Sequence, residues 1–226
     1  MRTVSLLSLT TLLALPLAAQ RPASDPDKNV AGSGTLPAGW AARLDRATDS
    51  LKNLKFGPMG PGLHVTTGPS GIFWREVDAV PGSFHTIATF TQMKKPTHPE
   101  AFGIFVAGKD IHEPTASYVY LIVRGDGMFS IRQGGAVGAG STNLTTGGNR
   151  NGWLASDAVI KEDSAGKAKN TLEISGDAAS KKLTFKINGK EVAQIDAPNG
   201  AVGGLVGLRV NHNLDVHIDG FAVHKM

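Results

Sequence analysis

Cysteine is absent from the 226-residue sequence, which excludes disulfides and every metal site built on thiolates. Burial of apolar side chains must therefore stabilise the fold without covalent help. Lysine and arginine are scattered, with no basic run longer than a pair such as Lys94-Lys95. Nucleic acid recognition needs a concentrated basic surface, so we expect no nucleic acid partner.

Local motifs for nucleotide chemistry and for nucleophilic catalysis are also missing. The sequence contains no nucleophile elbow, no phosphate-binding loop and no dinucleotide fingerprint. The glycine-rich stretch 134–140 precedes no predicted helix that could present its amides to a phosphate. The seven histidines are spread out, without a His-x-x-x-His pair, which argues against a zinc site. We expect no cofactor, with calcium as the one ion left open.

Residues 1–19 have the composition of a secretory signal peptide. Arg2 supplies a positive charge, Leu6–Leu17 is almost wholly apolar, and Ala18-Ala19 offers small residues for cleavage. The apolar stretch is shorter than the roughly 20 residues that span a bilayer as a helix. We therefore expect cleavage near Ala19, no membrane span and a secreted or periplasmic protein, with a retained N-terminal anchor as the alternative.

The rest of the chain divides into a polar leader and a turn-rich region. Residues 20–36 are rich in Pro, Ser, Gly and Asp and predict a flexible leader, and residues 37–226 predict a single domain. A short amphipathic helix, or an irregular segment along a sheet edge, is predicted near its start. The four apolar residues behind that prediction are Trp40, Leu44, Leu51 and Leu54.

Short β-type runs separated by turn residues follow to the end of the chain. The predicted strands are 63–67, 71–75, 84–92, 101–107, 118–124, 128–133, 171–175, 183–188, 191–195, 202–211 and 215–223. Tight hairpins are predicted at Gly125–Gly127, at Asn188-Gly189 and at Asn211–Asn213, and a long surface loop at 134–152. Without a βαβ rhythm, this pattern predicts an all-β, two-sheet antiparallel jelly-roll sandwich.

The order of these segments resembles a known superfamily. The segments that carry the resemblance are 82–90, 102–106, 118–124, the hairpin formed by 170–174 and 183–189, and the closing pair 207–210 and 216–221. Together they resemble the concanavalin A-like lectin/glucanase jelly rolls, and among them laminin G-like and 3-keto-disaccharide hydrolase-type domains. The Glu-x-Asp-x-x-Glu strand of the hydrolytic glucanases is missing, so the resemblance implies a lectin-like member.

The stretch 209–219 is the first candidate for a ligand site. Polar and apolar residues alternate along it, so one face of an extended chain would carry Arg209, Asn211, Asp215 and His217. Across a hairpin, Arg209 would meet Asp215 and His217 and could bind sugar hydroxyls. An ordinary solvated face is the alternative.

The same stretch offers oxygens for calcium, and further candidates lie elsewhere. Asn213, Asp215 and Asp219 could bind calcium outside an EF-hand geometry. Glu100 and Arg124 stand at predicted strand ends, where they would orient a sugar or form a surface ion pair. Trp153 follows the long polar loop and is the candidate for an exposed stacking platform.

Three functions remain open at this point. The favoured one is a non-catalytic module that binds a glycan or a cell-surface polymer. The second is a glycoside-cleaving enzyme of the 3-keto-disaccharide hydrolase kind. It would use Glu100, Asp215 or Asp219 as acid or base, with His217 assisting, and it requires two carboxylates about 5–10 Å apart. The third is a structural interaction protein with an exposed apolar patch. The oligomeric state is not predicted.

Overall fold

The computed structural model describes residues 30–226, so the predicted signal peptide and the first part of the predicted leader lie outside the described residues. Within that range the chain forms two antiparallel sheets and no α-helix, only short 3₁₀ turns at Leu51–Asn53, Glu76–Asp78 and Pro198–Gly200. The all-β sandwich predicted from the strand and turn pattern is confirmed.

The first sheet, sheet A, has eight strands and the second, sheet B, has seven. Sheet A contains β1 (Trp40–Leu44), β4 (Gly71–Arg75), β6 (Ala101–Lys109), β7 (Ser117–Arg124), β8 (Met128–Gly134), β9 (Ser141–Asn143), β10 (Leu154–Ala155) and β14 (Leu205–Val210). Sheet B contains β2 (Leu54–Met59), β3 (Gly62–Thr67), β5 (Phe84–Gln92), β11 (Ala168–Asp177), β12 (Lys182–Ile187), β13 (Lys190–Asp196) and β15 (Leu214–Lys225). Sheet A runs β1-β4-β14-β6-β7-β8-β10, with β9 beside β8, and sheet B runs β13-β12-β11-β5-β15-β3-β2.

The main core fills the space between the two sheets. Alternate residues of each strand point inward, as the strictly alternating burial of β5 and β12 shows. Fully buried aromatic side chains from both sheets meet there: Phe73, Phe84, Phe90, Phe102 and Phe185. Because the chain has no cysteine, this burial is the main source of stability.

Sheet A buries apolar side chains on its outer face as well. This second cluster consists of Ile72, Trp74, Ala101, Phe105, Ile111, Tyr118, Tyr120 and Ile122. Strand β7 supplies three of these side chains and lies between β6 and β8. The central position predicted from its two apolar faces is therefore correct.

The segment predicted as a helix or an irregular stretch, Trp40–Leu54, begins with the edge strand β1, continues through bends and turns, and contains a 3₁₀ turn at Leu51–Asn53. β1 pairs with β4 in the register Trp40↔Arg75, and the ring centroids of Trp40 and Phe56 lie 5.0 Å apart. The helix-like spacing of the apolar residues in this segment is a coincidence, because these residues belong to different elements: β1, the 3₁₀ turn and β2.

The short strands β2, β9 and β10 were not predicted. Gly57 and Pro58 interrupt the apolar pattern of β2, β9 has no apolar residue, and β10 is only two residues long.

Two of the three predicted hairpins are confirmed and one is wrong. Gly125–Gly127 joins β7 to β8, and Asn188-Gly189 joins β12 to β13 with positive φ at both residues (51° and 79°). Residues 211–213 instead connect β14 in sheet A to β15 in sheet B. The link changes sheets because Leu208 and Val210 of β14 and Leu214 of β15 all enter the same inter-sheet core.

Candidate functional site

The outer face of sheet A holds a cavity floored by two tyrosines. Tyr118 and Tyr120 point outward from β7 and stack with ring centroids 5.6 Å apart. Gly134 on β8 provides the space for Tyr118, since a Cβ at Gly134 would lie 2.2 Å from Cζ of that ring. Gly103 lies across from Arg209 in the β6–β14 ladder. The Arg209 guanidinium carbon lies 5.5 Å from the ring centroid of Tyr120.

An ion pair closes one side of the cavity. Arg209 of β14 donates to both carboxylate oxygens of Asp45 at 2.5 and 2.6 Å, and its Nε donates to Oδ1 of Asn211 at 3.1 Å. The Arg209 side chain is only 7% exposed, whereas that of Asp45 is 36% exposed. Asp45 therefore compensates a buried charge and still presents acceptor lone pairs to solvent.

A second arginine anchors the loop that covers the cavity. The buried Arg43 of β1 donates to the carbonyl oxygens of Ile111 at 2.5 Å and Gly135 at 2.7 Å, and its guanidinium lies 5.3 Å from the Tyr118 ring centroid. The backbone N–H of Gly138 donates to the carbonyl of Asp45 at 2.9 Å. Residues 135–141 are thereby held against the end of β1.

The charges in the cavity are set by this packing. Burial disfavours the charge of Asp45, but the attraction and hydrogen bonds of Arg209 outweigh it and lower the pKa of Asp45. Burial also disfavours the charge of Arg209, and Asp45 in turn raises its pKa, so the guanidinium stays charged. Burial raises the pKa of Tyr118 more than Arg209 lowers it, so the phenol stays neutral.

The cavity has a volume of about 310 Å³, near the lower end of the roughly 300–1,000 Å³ of small-molecule sites. Its lining is Arg43, Asp45, Arg46, Tyr118, Tyr120, Ala136, Gly138, Gly140, Ser141 and Arg209. Three arginines face one aspartate, so the cavity carries a net positive charge. Arg46 is exposed and makes the entrance positive.

Trp153 lies further along the same face, but it is not an open platform. Arg124 and Arg132 place their guanidinium carbons 4.3 and 5.3 Å from its ring centroid. Arg132 also donates to the carbonyl of Asn151 at 2.5 Å. The exposed stacking surface expected at Trp153 is thus occupied by arginines, and the ring is half-buried.

The predicted grouping of Arg209 with Asp215 and His217 is not observed. Arg209 faces outward from sheet A, while Asp215 and His217 face outward from sheet B, because the link between their strands changes sheets. Asp215 contacts His64 at 2.9 Å and Lys94 at 3.4 Å. Asn211 lies beside Arg209, as the predicted grouping placed it, and orients its guanidinium.

The pairing proposed between Glu100 and Arg124 is also not observed. Arg124 bonds to Asp126 in its own hairpin, with Nε donating to Oδ1 at 3.1 Å. The buried Glu100 carboxylate contacts Nδ1 of His98 at 3.0 Å and Nε2 of His212 at 2.8 Å. The predicted acid and base candidates Glu100, Asp215 and Asp219 thus each contact a different histidine.

The calcium site expected from Asn213, Asp215 and Asp219 does not form either. Asp215 and Asp219 are four residues apart on one strand, about 13 Å along it, which is too far for one ion with ligand distances of about 2.3–2.6 Å. Asp219 contacts Nε2 of His217 at 3.0 Å, and the amide of Asn213 donates to Thr97 at 2.7 Å.

Another cavity, of about 580 Å³, opens between the sheet edges formed by β10 and β13. Its lining combines apolar side chains such as Leu154, Val192 and Ile195 with the charged Asp157 and Lys190. Lys190 donates to Asp157 at 3.1 Å, and both side chains are largely exposed. This groove lacks the buried, mutually oriented polar groups of the cavity on sheet A.

Sequence reasoning missed Arg43, Asp45 and Arg46. The signal was present, because Arg43 and Asp45 alternate with Ala42 and Leu44 as on a strand with two distinct faces. The helical spacing of the neighbouring apolar residues concealed this alternation.

Comparison with known proteins supports the fold and leaves the family open. No family model and no curated protein matches the sequence. The carbohydrate-binding module CBM66 from Bacillus subtilis is structurally similar, with a TM-score of 0.55 and 9% identity over 84% of this chain and 99% of that one. The carbohydrate recognition domain of Emp46p in its potassium-bound form has a TM-score of 0.52 and 9% identity, over 82% of this chain and 88% of that one. At such identities the likeness shows a shared jelly-roll fold.

In residues 30–226, no helical segment is long and apolar enough to cross a bilayer.

Replacement of Gly134 by alanine tests how the tyrosine floor is packed. The new Cβ would overlap the Tyr118 ring, so we expect the free energy of unfolding to fall by about 1–3 kcal/mol. Gly135→Ala is the matched control, because its Cβ would meet nothing closer than 3.5 Å. Equal stability of the two variants in chemical denaturation would contradict this packing.

Replacement of Asp45 by asparagine tests the ion pair and its pH dependence. We expect Asp45→Asn to lower the free energy of unfolding by about 2 kcal/mol at about pH 7, because the buried Arg209 charge loses its partner and the carboxylate is partly solvated. The folded-state pKa of Asp45 lies below the ordinary 3.8. The stabilisation is therefore fully present above that pH and is lost as the pH falls below it. Chemical denaturation of the unmodified protein and of Asp45→Asn should show that the difference between their free energies of unfolding is smaller at about pH 3 than at about pH 7. A difference that is the same at both pH values would contradict the ion pair.

Proposed function

We propose that the chain is a carbohydrate-binding module that holds a sugar in the tyrosine–arginine cavity on the outer face of sheet A. The observation that carries this proposal is the cavity itself, in which Tyr118 and Tyr120 form the floor and the bidentate Arg209–Asp45 pair forms a fixed wall. Both tyrosine rings are only 5% exposed and lie beneath arginine guanidinium groups, so the polar groups of the wall, not ring stacking, would orient the sugar hydroxyls.

The polar wall suits a ligand with several hydroxyl groups. Asp45 uses one lone pair on each oxygen for Arg209 and keeps others for hydroxyl donors. Because Arg209 and Arg43 are already bonded inside the protein, both are fixed before a ligand arrives, which reduces the entropy lost on binding. The structural neighbours CBM66 and the Emp46p domain, both named for carbohydrate binding, support a sugar as the ligand.

The charge of the site favours an acidic sugar. Asp45 is neutralised by Arg209, which leaves the charges of Arg43 and the exposed Arg46 uncompensated within the lining. Arg132 donates to Ser141 at the cavity wall at 3.4 Å and extends the positive surface towards Trp153. A carboxylated polysaccharide, such as a polyuronate, meets both the hydroxyl-binding and the cationic part of this surface.

The glycoside-cleaving alternative requires two carboxylates facing one cleft. Its predicted candidates Glu100 and Asp215 contact separate histidines. The cavity that Glu100 shares with Asp126 and Glu162 has a volume of only about 60 Å³, well below the roughly 300 Å³ of small-molecule sites. Assignment to the laminin G-like or the 3-keto-disaccharide hydrolase-type domains stays a prediction, as does the non-catalytic nature of the module.

Polysaccharide binding by cavity variants tests the proposal. We expect the full chain to bind a soluble polyuronate more tightly than a neutral glucan, and to leave the polymer uncleaved. Ser141→Trp should abolish binding by filling the cavity, and Arg46→Glu should weaken it by at least about 10-fold by reversing the charge at the entrance. Both side chains are exposed, so neither change should unfold the protein.

Lys169→Glu is the matched charge reversal, on an exposed residue of β11 in sheet B. It should bind like the unmodified protein in affinity electrophoresis or calorimetry. Binding that survives Ser141→Trp but is lost in a variant of the groove between β10 and β13 would move the site to that groove. No binding to any polysaccharide would refute the function.

We also propose that the protein acts outside the cytoplasm, as the signal-like composition of residues 1–19 indicates. Expression of the full chain in a bacterial host should yield a processed protein in the periplasm or medium. Its intact mass should correspond to a chain that begins at Gln20. An unprocessed chain that stays in the cytoplasm would contradict this localisation.

A further inference from the structure

Two histidines and a glutamate converge near one end of sheet A, away from the tyrosine–arginine cavity. Glu100 directly precedes β6, His98 lies in the loop before it, and His212 lies in the link from β14 to β15. Oε1 of Glu100 is 3.0 Å from Nδ1 of His98 and 2.8 Å from Nε2 of His212. One ligating atom from each of the three residues lies within 4.8 Å of the other two.

We propose that His98, Glu100 and His212 bind one divalent transition-metal ion, of which Zn²⁺ is the ion best matched to the ligands. Two imidazoles and one carboxylate form a common protein ligand set for zinc, with a further position left for water. Ligand distances of about 2.0–2.2 Å place tetrahedral donors about 3.3–3.6 Å apart. The observed donor separations therefore require only small rotations of the side chains.

Hydrogen bonds hold the two ligand-bearing segments together without a metal. On one side of His212, the backbone N–H of Asn211 donates to the carbonyl of Ala101 at 2.9 Å. On the other side, the side-chain Nδ2 of Asn213 donates to Oγ1 of Thr97 at 2.7 Å. The ligands are thus brought together by the fold itself, which reduces the entropy lost on metal binding.

Burial and space favour an ion at this place. The Glu100 side chain is only 10% exposed, and a buried carboxylate needs a compensating charge or hydrogen bonds. A cavity of about 60 Å³, lined in part by His98, Glu100 and Asp126, adjoins the cluster. It exceeds the roughly 10–15 Å³ that one water requires, so a metal-bound water has room.

The nature of the donors decides which ion is expected. Two nitrogen donors do not suit Ca²⁺, which prefers six to eight oxygens, whereas imidazole suits Zn²⁺ and its first-row neighbours. Within residues 30–226 this is the one group of three or more histidine, aspartate or glutamate side chains arranged to hold a metal. The scattered histidines that argued against zinc in the sequence are thus partly gathered by the fold.

Zinc titration of the untagged full chain tests the proposal. After treatment with a chelator and its removal, calorimetry should show one Zn²⁺ per chain, and the melting temperature should rise with Zn²⁺ concentration. Co²⁺ in place of Zn²⁺ should give visible d–d absorption typical of low coordination number with nitrogen ligands. Absence of Zn²⁺ binding by the unmodified protein would overturn the proposal.

Single variants then locate the ion. His98→Gln and His212→Gln should each weaken Zn²⁺ binding by at least about 10-fold and change the Co²⁺ spectrum. The His98 side chain is 43% exposed, so its replacement tests a ligand rather than the fold, even where Glu100→Gln fails to fold. His217→Gln is the matched control, since His217 also contacts a carboxylate, that of Asp219, at 3.0 Å.

Two outcomes of these variants would overturn the assignment. Zinc affinity that is unchanged in both His98→Gln and His212→Gln would do so, as would loss of affinity in His217→Gln alone. The result is separable from the glycan proposal, because Arg46→Glu should leave Zn²⁺ affinity unchanged.

Discussion

Sheet A carries apolar side chains on both of its faces, and the rest of the architecture follows from the need to cover them. Sheet B covers the inner face. The outer face, with Trp74, Phe105, Tyr118 and Tyr120, has no third layer of secondary structure above it within residues 30–226. It is covered instead by arginine side chains, by the loop 135–141 and by residues around Trp153. Arginine suits this task, since its planar group packs on aromatic rings and remains hydrogen-bonded.

The cavity is a consequence of that cover. A buried arginine must keep its charge compensated, and Arg209 achieves this through Asp45 and Asn211. The pair stands at the edge of the cover, where the carboxylate of Asp45 still meets solvent. A polar, preoriented wall is therefore placed at the rim of the cavity above the two buried tyrosines. The stability of the fold and the proposed sugar binding thus depend on the same contacts.

The sequence predicted the strands well and the sites poorly, for physical reasons that differ. Strands such as β4 and β5 follow from local alternation and turn residues, so Gly71–Arg75 and Phe84–Gln92 match the predicted bounds. The outer face on which a polar residue lies depends on the sheet to which its strand belongs. The local sequence pattern does not reveal that sheet. Arg209 and Asp215 were therefore grouped wrongly, because the link between their strands crosses from one sheet to the other.

The missed contacts are mostly long-range in sequence. Arg209 and Asp45 are separated by 164 positions, and His212 meets Glu100 only because the link between the sheets passes beside β6. Local sequence motifs with fixed spacing therefore reveal neither the Arg209–Asp45 pair nor the His212–Glu100 contact. The alternation of Arg43 and Asp45 is visible in the sequence, but it indicates a shared face only if Trp40–Leu44 is a strand, and the apolar spacing there fits a helix equally well.

A crystal structure of the protein with a uronic acid oligosaccharide tests the central claim most directly. The account predicts a sugar in the cavity lined by Arg43, Asp45 and Arg209, with hydroxyl groups donating to the Asp45 carboxylate and the sugar carboxylate facing Arg46. A ligand bound in the groove between β10 and β13, or on the outer face of sheet B beside Asp215, would contradict it.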